Sequence, residues 1–78
     1  VAEWLPRDIV APVSDVEHEA VRIAQRALRL EPTGLMDEPT RASLRGLQRF
    51  YRLPVHGNLD GPTAERLDAL RPYVLGDM

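Results

Sequence analysis

Residues 25–40 read QRALRLEPTGLMDEPT, and residues 48–63 read QRFYRLPVHGNLDGPT. Aligned at an offset of 23, the two stretches share Gln25/Gln48, Arg26/Arg49, Arg29/Arg52, Leu30/Leu53, Gly34/Gly57, Asp37/Asp60, Pro39/Pro62 and Thr40/Thr63. The register extends to Arg22/Arg45 upstream and to Leu44/Leu67 and Leu47/Leu70 downstream. Two copies are too few for a solenoid, which needs about three stacked units. The duplication therefore implies one compact domain with internal pseudo-two-fold symmetry.

Each copy reads as helix, loop, helix start. Ser14-Asp15-Val16-Glu17 forms an S-x-x-E capping box, placing the first helix start at Ser14. Val16, Ala20, Ile23, Ala27 and Leu30 then recur at helical spacing, and Val21, Ala24 and Leu28 widen the apolar face. Pro32 and Gly34 are expected to end that helix. In Asp37-Glu38-Pro39-Thr40 and Asp60-Gly61-Pro62-Thr63, proline stands where a helix start tolerates its missing N–H, and the preceding aspartate can cap. A second helix is expected to bury Leu44, Leu47, Tyr51 and part of Phe50, and a short third helix to run from Pro62 to about Leu70, closed by Pro72. With almost no period-two alternation, the fold class is all-α: a small three-helix domain over residues 14–71, an extended N-terminal arm over 1–13 and a C-terminal tail over 72–78.

The chain has 78 residues, no cysteine and a formal net charge of −2. Disulfide staples and thiolate metal ligands are excluded, and all basic residues are arginine. A near-balanced charge argues against nucleic acid as partner, since such binding depends on neutralising phosphates. No run approaches the roughly 20 apolar residues of a membrane-spanning helix, so no membrane partner is expected. The first residues lack the pattern of a signal peptide; a chain complete as given is expected not to be exported by that route.

The order of Gln25, the Gly34-x-x-Asp37-x-Pro39-Thr40 segment, Gln48 and the second Gly57-x-x-Asp60-x-Pro62-Thr63 segment resembles the peptidoglycan-binding domain family. The resemblance covers roughly Glu19 to Leu70. It implies a three-helix fold with two related halves and a module that accompanies cell-wall hydrolases, and it implies architectural roles for the glutamines and threonines. The chain departs from the family's pattern in having Thr33 and His56 before the glycines, where aspartate is usual, Met36 and Leu59 where aromatics are common, and Glu38 in place of a glycine.

No nucleophile, base and orienting group come together in the sequence, so neither an enzyme nor a bound cofactor or metal is expected. His18 reads as a solvated helix residue and His56 as a loop residue able to touch a ligand. Arg22, Arg26 and Arg29 form a stripe on the first helix, repeated by Arg45, Arg49 and Arg52 on the second. The residues that the two copies do not share mark the candidate ligand site: Tyr51, His56 and Asn58, with the duplicated Arg49 and Arg52 nearby. Gln25, Gly34, Asp37, Thr40, Gln48, Gly57, Asp60 and Thr63 carry the structural motif.

The arms hold the remaining apolar weight. The arms either lie back on the small domain or grip a neighbour; in the second case Trp4, Leu5, Ile9, Val10, Tyr73 and Leu75 are candidate contacts to a protein partner, because aromatic anchors are favoured at interfaces. Deleting residues 1–13 is expected to spare the helical fold. The departures from the family pattern, together with the arms, point to an accessory or structural protein docked on a larger assembly such as a phage virion. The alternative is a conventional module that binds peptidoglycan in the bacterial cell envelope.

Overall fold

The structure is a computed structural model that describes the backbone of residues 2–74 and the side chains of residues 2–70. It contains three helices, α1 (Asp15–Ala27), α2 (Glu38–Phe50) and α3 (Gly61–Val74). Ser14 caps α1, its hydroxyl accepting the Glu17 N–H at 3.2 Å. Glu17 does not complete the capping box in the expected way. Its carboxylate reaches one residue further back, to the Val13 N–H at 3.0 Å, and is gripped by the Arg7 guanidinium at 2.6 and 3.0 Å. Asp37 caps α2 by accepting the Thr40 N–H, and Asp60 accepts the Thr63 N–H at the start of α3.

The end of α1 differs from expectation. The first helix stops at Ala27, well before Pro32, because Arg29 turns into the left-handed region at φ 63°. The N–H groups of Arg29 and Leu30 then bond back to the carbonyls of Arg26 and Gln25, pairing acceptors that a helix end leaves open. The same closure recurs in α2, with Arg52 at φ 59° and Leu53 bonded to the Gln48 carbonyl. An arginine occupies the position where glycine is usual in both. The third helix continues through Pro72 to Val74 rather than stopping near Leu70. A proline in a last turn removes a single backbone bond.

The core is formed by Ala2, Ile9, Ala20, Val21, Ala24, Ala27, Leu44, Leu59, Ala64 and Leu67, with Trp4, Leu5, Leu28, Met36 and Leu47 packed around it. The expected apolar face of α1 is rotated: Ala20, Val21, Ala24 and Ala27 are buried, whereas Val16 is 63% exposed and Ile23 only half-buried. On α2, Leu44 is buried and Leu47 and Tyr51 half-buried, but Phe50 stands 79% exposed.

The N-terminal segment lies against this core. Ile9 is fully buried and pairs with Leu59 in an isolated antiparallel bridge, with N–H···O distances of 2.7 and 3.0 Å in the two directions. The Trp4 indole N–H donates to Asp68 of α3 at 3.0 Å. Arg41 of α2 clamps the segment onto the second loop, donating to the Val10 carbonyl at 2.6 Å and to the Asn58 side chain at 3.0 Å. Val10 itself points outward, 58% exposed. The side chain of Tyr73, and Leu75 altogether, lie outside the described residues.

Candidate functional site

Each half of the domain is organised by one buried glutamine. The Gln25 carbonyl oxygen accepts the Gly34 N–H at 2.9 Å. Its amide group faces the Leu35 carbonyl and the Thr40 hydroxyl, both at 2.9 Å, and the Thr33 hydroxyl at 3.0 Å. Gln48 repeats the arrangement with the N–H groups of His56 and Gly57, the Asn58 carbonyl and the Thr63 hydroxyl, at 2.9–3.1 Å. Both amides are fully buried. Removing either would strand several backbone groups, each costing about 1–3 kcal/mol when buried without a partner.

The loop glycines complete the hubs. Gly34 and Gly57 adopt φ 81° and 80°, and a Cβ on either would sit 3.1–3.2 Å from an arginine side chain, Arg22 over the first and Arg45 over the second. The duplicated arginines therefore do not form one uniform stripe. Arg22 and Arg45 cover the loops and pair with Glu19 and Glu38. Arg26 and Arg49 are exposed on the helices, and Arg29 and Arg52 have left the helices in the left-handed closures.

Hydrogen bonding holds the capping aspartates ionised. The Asp37 carboxyl lies below its ordinary value of 3.8, chiefly because the Thr40 hydroxyl donates to it. Burial pushes Asp60 up, but the Thr63 hydroxyl and N–H and the His56 ring outweigh it, and the net shift is downward. The Arg7 guanidinium likewise holds Glu17 below 4.5.

The candidate ligand residues divide into two groups. His56 and Asn58 belong to the second hub: Nδ1 of His56 accepts the Asn58 N–H at 2.9 Å, and Nε2 faces Asp60 at 2.8 Å. The ring is thus pinned as its Nε2–H tautomer, and neither nitrogen is left to take a proton from a substrate. Tyr51, by contrast, is part of an aromatic step. Phe50 packs edge-on against it at 5.0 Å between centroids, and the Arg66 guanidinium lies over its ring at 4.7 Å. Arg49 and Arg52 flank this step, both exposed. No pattern in the sequence joins Arg66 to Tyr51, because their contact is made between helices.

A groove that sequence reasoning missed lies at the start of α1. Asp15, His18, Arg22, Thr33 and Leu35 line an open volume of ≈ 430 Å³. His18 is not simply solvated: it is half-buried, and its Nδ1 lies 2.8 Å from the Gly34 carbonyl. A carbonyl only accepts, so Nδ1 carries the proton and Nε2 is the ring's acceptor in the neutral form. Leu35 is 53% exposed and gives the groove an apolar edge. The spacing of Asp15, His18 and Arg22 along one helix face was the available signal. The lining offers cationic, anionic, acceptor and apolar groups side by side, which suits a polar ligand carrying amides and hydroxyls. Among the described residues there is no group of three or more His, Cys, Asp or Glu side chains that could hold a metal ion, and no helix long and apolar enough to cross a membrane.

The fold is thus a three-helix domain in which two buried amides tie loops to helix starts. The chain belongs to the peptidoglycan-binding domain family, whose profile it matches over residues 17–67. No curated protein and no solved structure matches it. The match begins at Glu17 and ends at Leu67, so it includes both glutamine hubs and leaves the N-terminal segment outside.

Proposed function

We propose that the chain is a non-catalytic module that binds peptidoglycan and acts at the bacterial cell envelope. Membership of the family supports binding as the role, and the groove at the start of α1 is the observation that carries the reading. Four of its five lining residues, His18, Arg22, Thr33 and Leu35, fall inside the family match. A guanidinium, an imidazole acceptor and an apolar edge converge there on one open volume.

An assembly role such as a part of a phage virion is the second reading. It rests on the departures from the family pattern and on arms able to grip a neighbour, and Ala2, Trp4, Leu5 and Ile9 of the N-terminal arm pack instead against the domain's own core. The wall-binding reading is therefore preferred.

Co-sedimentation with purified cell wall tests it. Saturable pelleting that survives moderate salt is expected, reduced at least tenfold by Leu35→Glu and unchanged by Phe50→Ser. Both positions are exposed, so neither change disturbs the core. Failure of the wild-type chain to pellet overturns the proposal. Sensitivity to Phe50→Ser alone would move the site to the aromatic step.

A further inference from the structure

A second concavity lies on the opposite flank of the α1 start, between that helix and the N-terminal segment. Glu3, Trp4, Asp15, Val16, Glu19, Ala20 and Ile23 line it around ≈ 440 Å³. We propose that this cleft docks a basic segment of a partner protein by taking up one lysine or arginine side chain.

The rotation of α1 from its expected packing leaves an apolar face open at the cleft. Val16, Ala20 and Ile23 share one helix face, yet Val16 is left 63% exposed and Ile23 half-buried. Val16 and Ile23, beside the buried Ala20, form the open part of an apolar floor. Trp4 makes the opposing wall, and its indole is fixed by the bond to Asp68 at 3.0 Å. The wall is pre-organised, which lowers the ordering cost of binding.

The rim sets the charge of the occupant. Every charged residue lining the cleft is acidic: Glu3, Asp15 and Glu19. Glu19 is shared with Arg22 and Arg26 at 3.0 and 3.6 Å. Glu3 and Asp15 enter no ion pair among the described residues. A lysine or arginine side chain matches both features, since its methylene stem covers apolar surface while its charged end stays at the rim. The tryptophan face adds a cation–π attraction. Glu3 and Glu19 line the cleft alone, whereas Asp15 stands between the two concavities and lines both. Glu3, Trp4, Asp15 and Val16 precede the family match, and Glu19, Ala20 and Ile23 lie within it.

Trp4 is the single tryptophan of the chain and reports occupancy directly. The intact chain would be titrated with a blocked pentapeptide containing one lysine, its arginine counterpart and its acetyl-lysine counterpart. A saturable change in Trp4 emission is expected with the first two, at least tenfold weaker with the acetylated peptide and weakened by added salt. Glu3→Gln, in an exposed residue, is expected to weaken binding several-fold, and Glu3→Gln with Asp15→Asn at least tenfold, with unchanged circular dichroism. No saturable response at millimolar peptide, or an equal response to the acetylated form, overturns the proposal. A change in Trp4 emission with chain concentration alone would assign the cleft to a second copy and equally overturn it. None of these readouts depends on wall binding.

Discussion

Thr33 and His56 occupy equivalent places in the two halves and perform the same two tasks with different chemistry. The Thr33 hydroxyl accepts the Leu35 N–H at 3.2 Å and donates to Asp37 Oδ2 at 3.2 Å. The His56 ring accepts the Asn58 N–H and donates to Asp60 Oδ2. Each links its loop backbone to the capping aspartate of the next helix. An aspartate, usual here in the family, could accept the same N–H but would face a second carboxylate; a hydroxyl or a neutral imidazole avoids that repulsion. His56→Thr is accordingly expected to change stability by no more than about 0.5 kcal/mol, and His56→Ala to cost about 1 kcal/mol by leaving the Asn58 N–H unpaired. Urea unfolding of the two variants checks this; equal losses would show that the ring matters for its bulk.

The glutamine hubs are expected to be the most sensitive polar positions. Gln48→Leu keeps the approximate volume but strands the N–H groups of His56 and Gly57 and the Asn58 carbonyl. A loss of roughly 2–4 kcal/mol is expected, a large share of the stability of so small a domain. A midpoint in denaturant close to that of the parent chain would mean that water replaces the amide.

At the two left-handed arginines the expected effect has the opposite sign. Arg29→Gly and Arg52→Gly relieve the Cβ strain of φ 63° and 59° and are each expected to stabilise by about 0.5–1 kcal/mol. Both side chains are exposed, so little packing is lost. Thermal unfolding would show it; a fall in melting temperature would mean that the side chains contribute more than the strain costs.

The N-terminal segment offers the sharpest contrast between the two levels of reading. Taken as an arm, residues 1–13 could be deleted without harm to the helices. With Ile9 fully buried against Leu59, the deletion is expected to abolish helical circular dichroism, and Ile9→Ala alone to cost roughly 2–5 kcal/mol. Retention of full ellipticity in the truncated chain would return the segment to the status of an arm.

Acid should destabilise the domain through Glu17, Asp37 and Asp60. All three have folded-state values below their ordinary 4.5 and 3.8. Such groups contribute stability that is present above the unfolded value and lost as pH falls through the folded one. Melting temperature is expected to hold from pH 7 to about 5 and to fall below about pH 4. Asp37→Asn should flatten that fall, and an unchanged acid limb would remove Asp37 from the account.

The three helices and the two glutamine hubs are legible in the residues alone, because both are written at short range. Helical spacing, capping residues and the Gln-to-Thr separation within each copy act over one loop, so local pattern suffices to place them. It also identified the family. The rotated face of α1, the burial of Ile9, the Arg66–Tyr51 contact and both concavities were decided only by tertiary structure. Each joins segments distant in the chain, Trp4 with Asp68 being the extreme. A segment without periodicity, such as residues 2–13, shows no face from which its partner could be read. What it covers, and which surfaces it leaves open, follows only when the helices it packs against are in place.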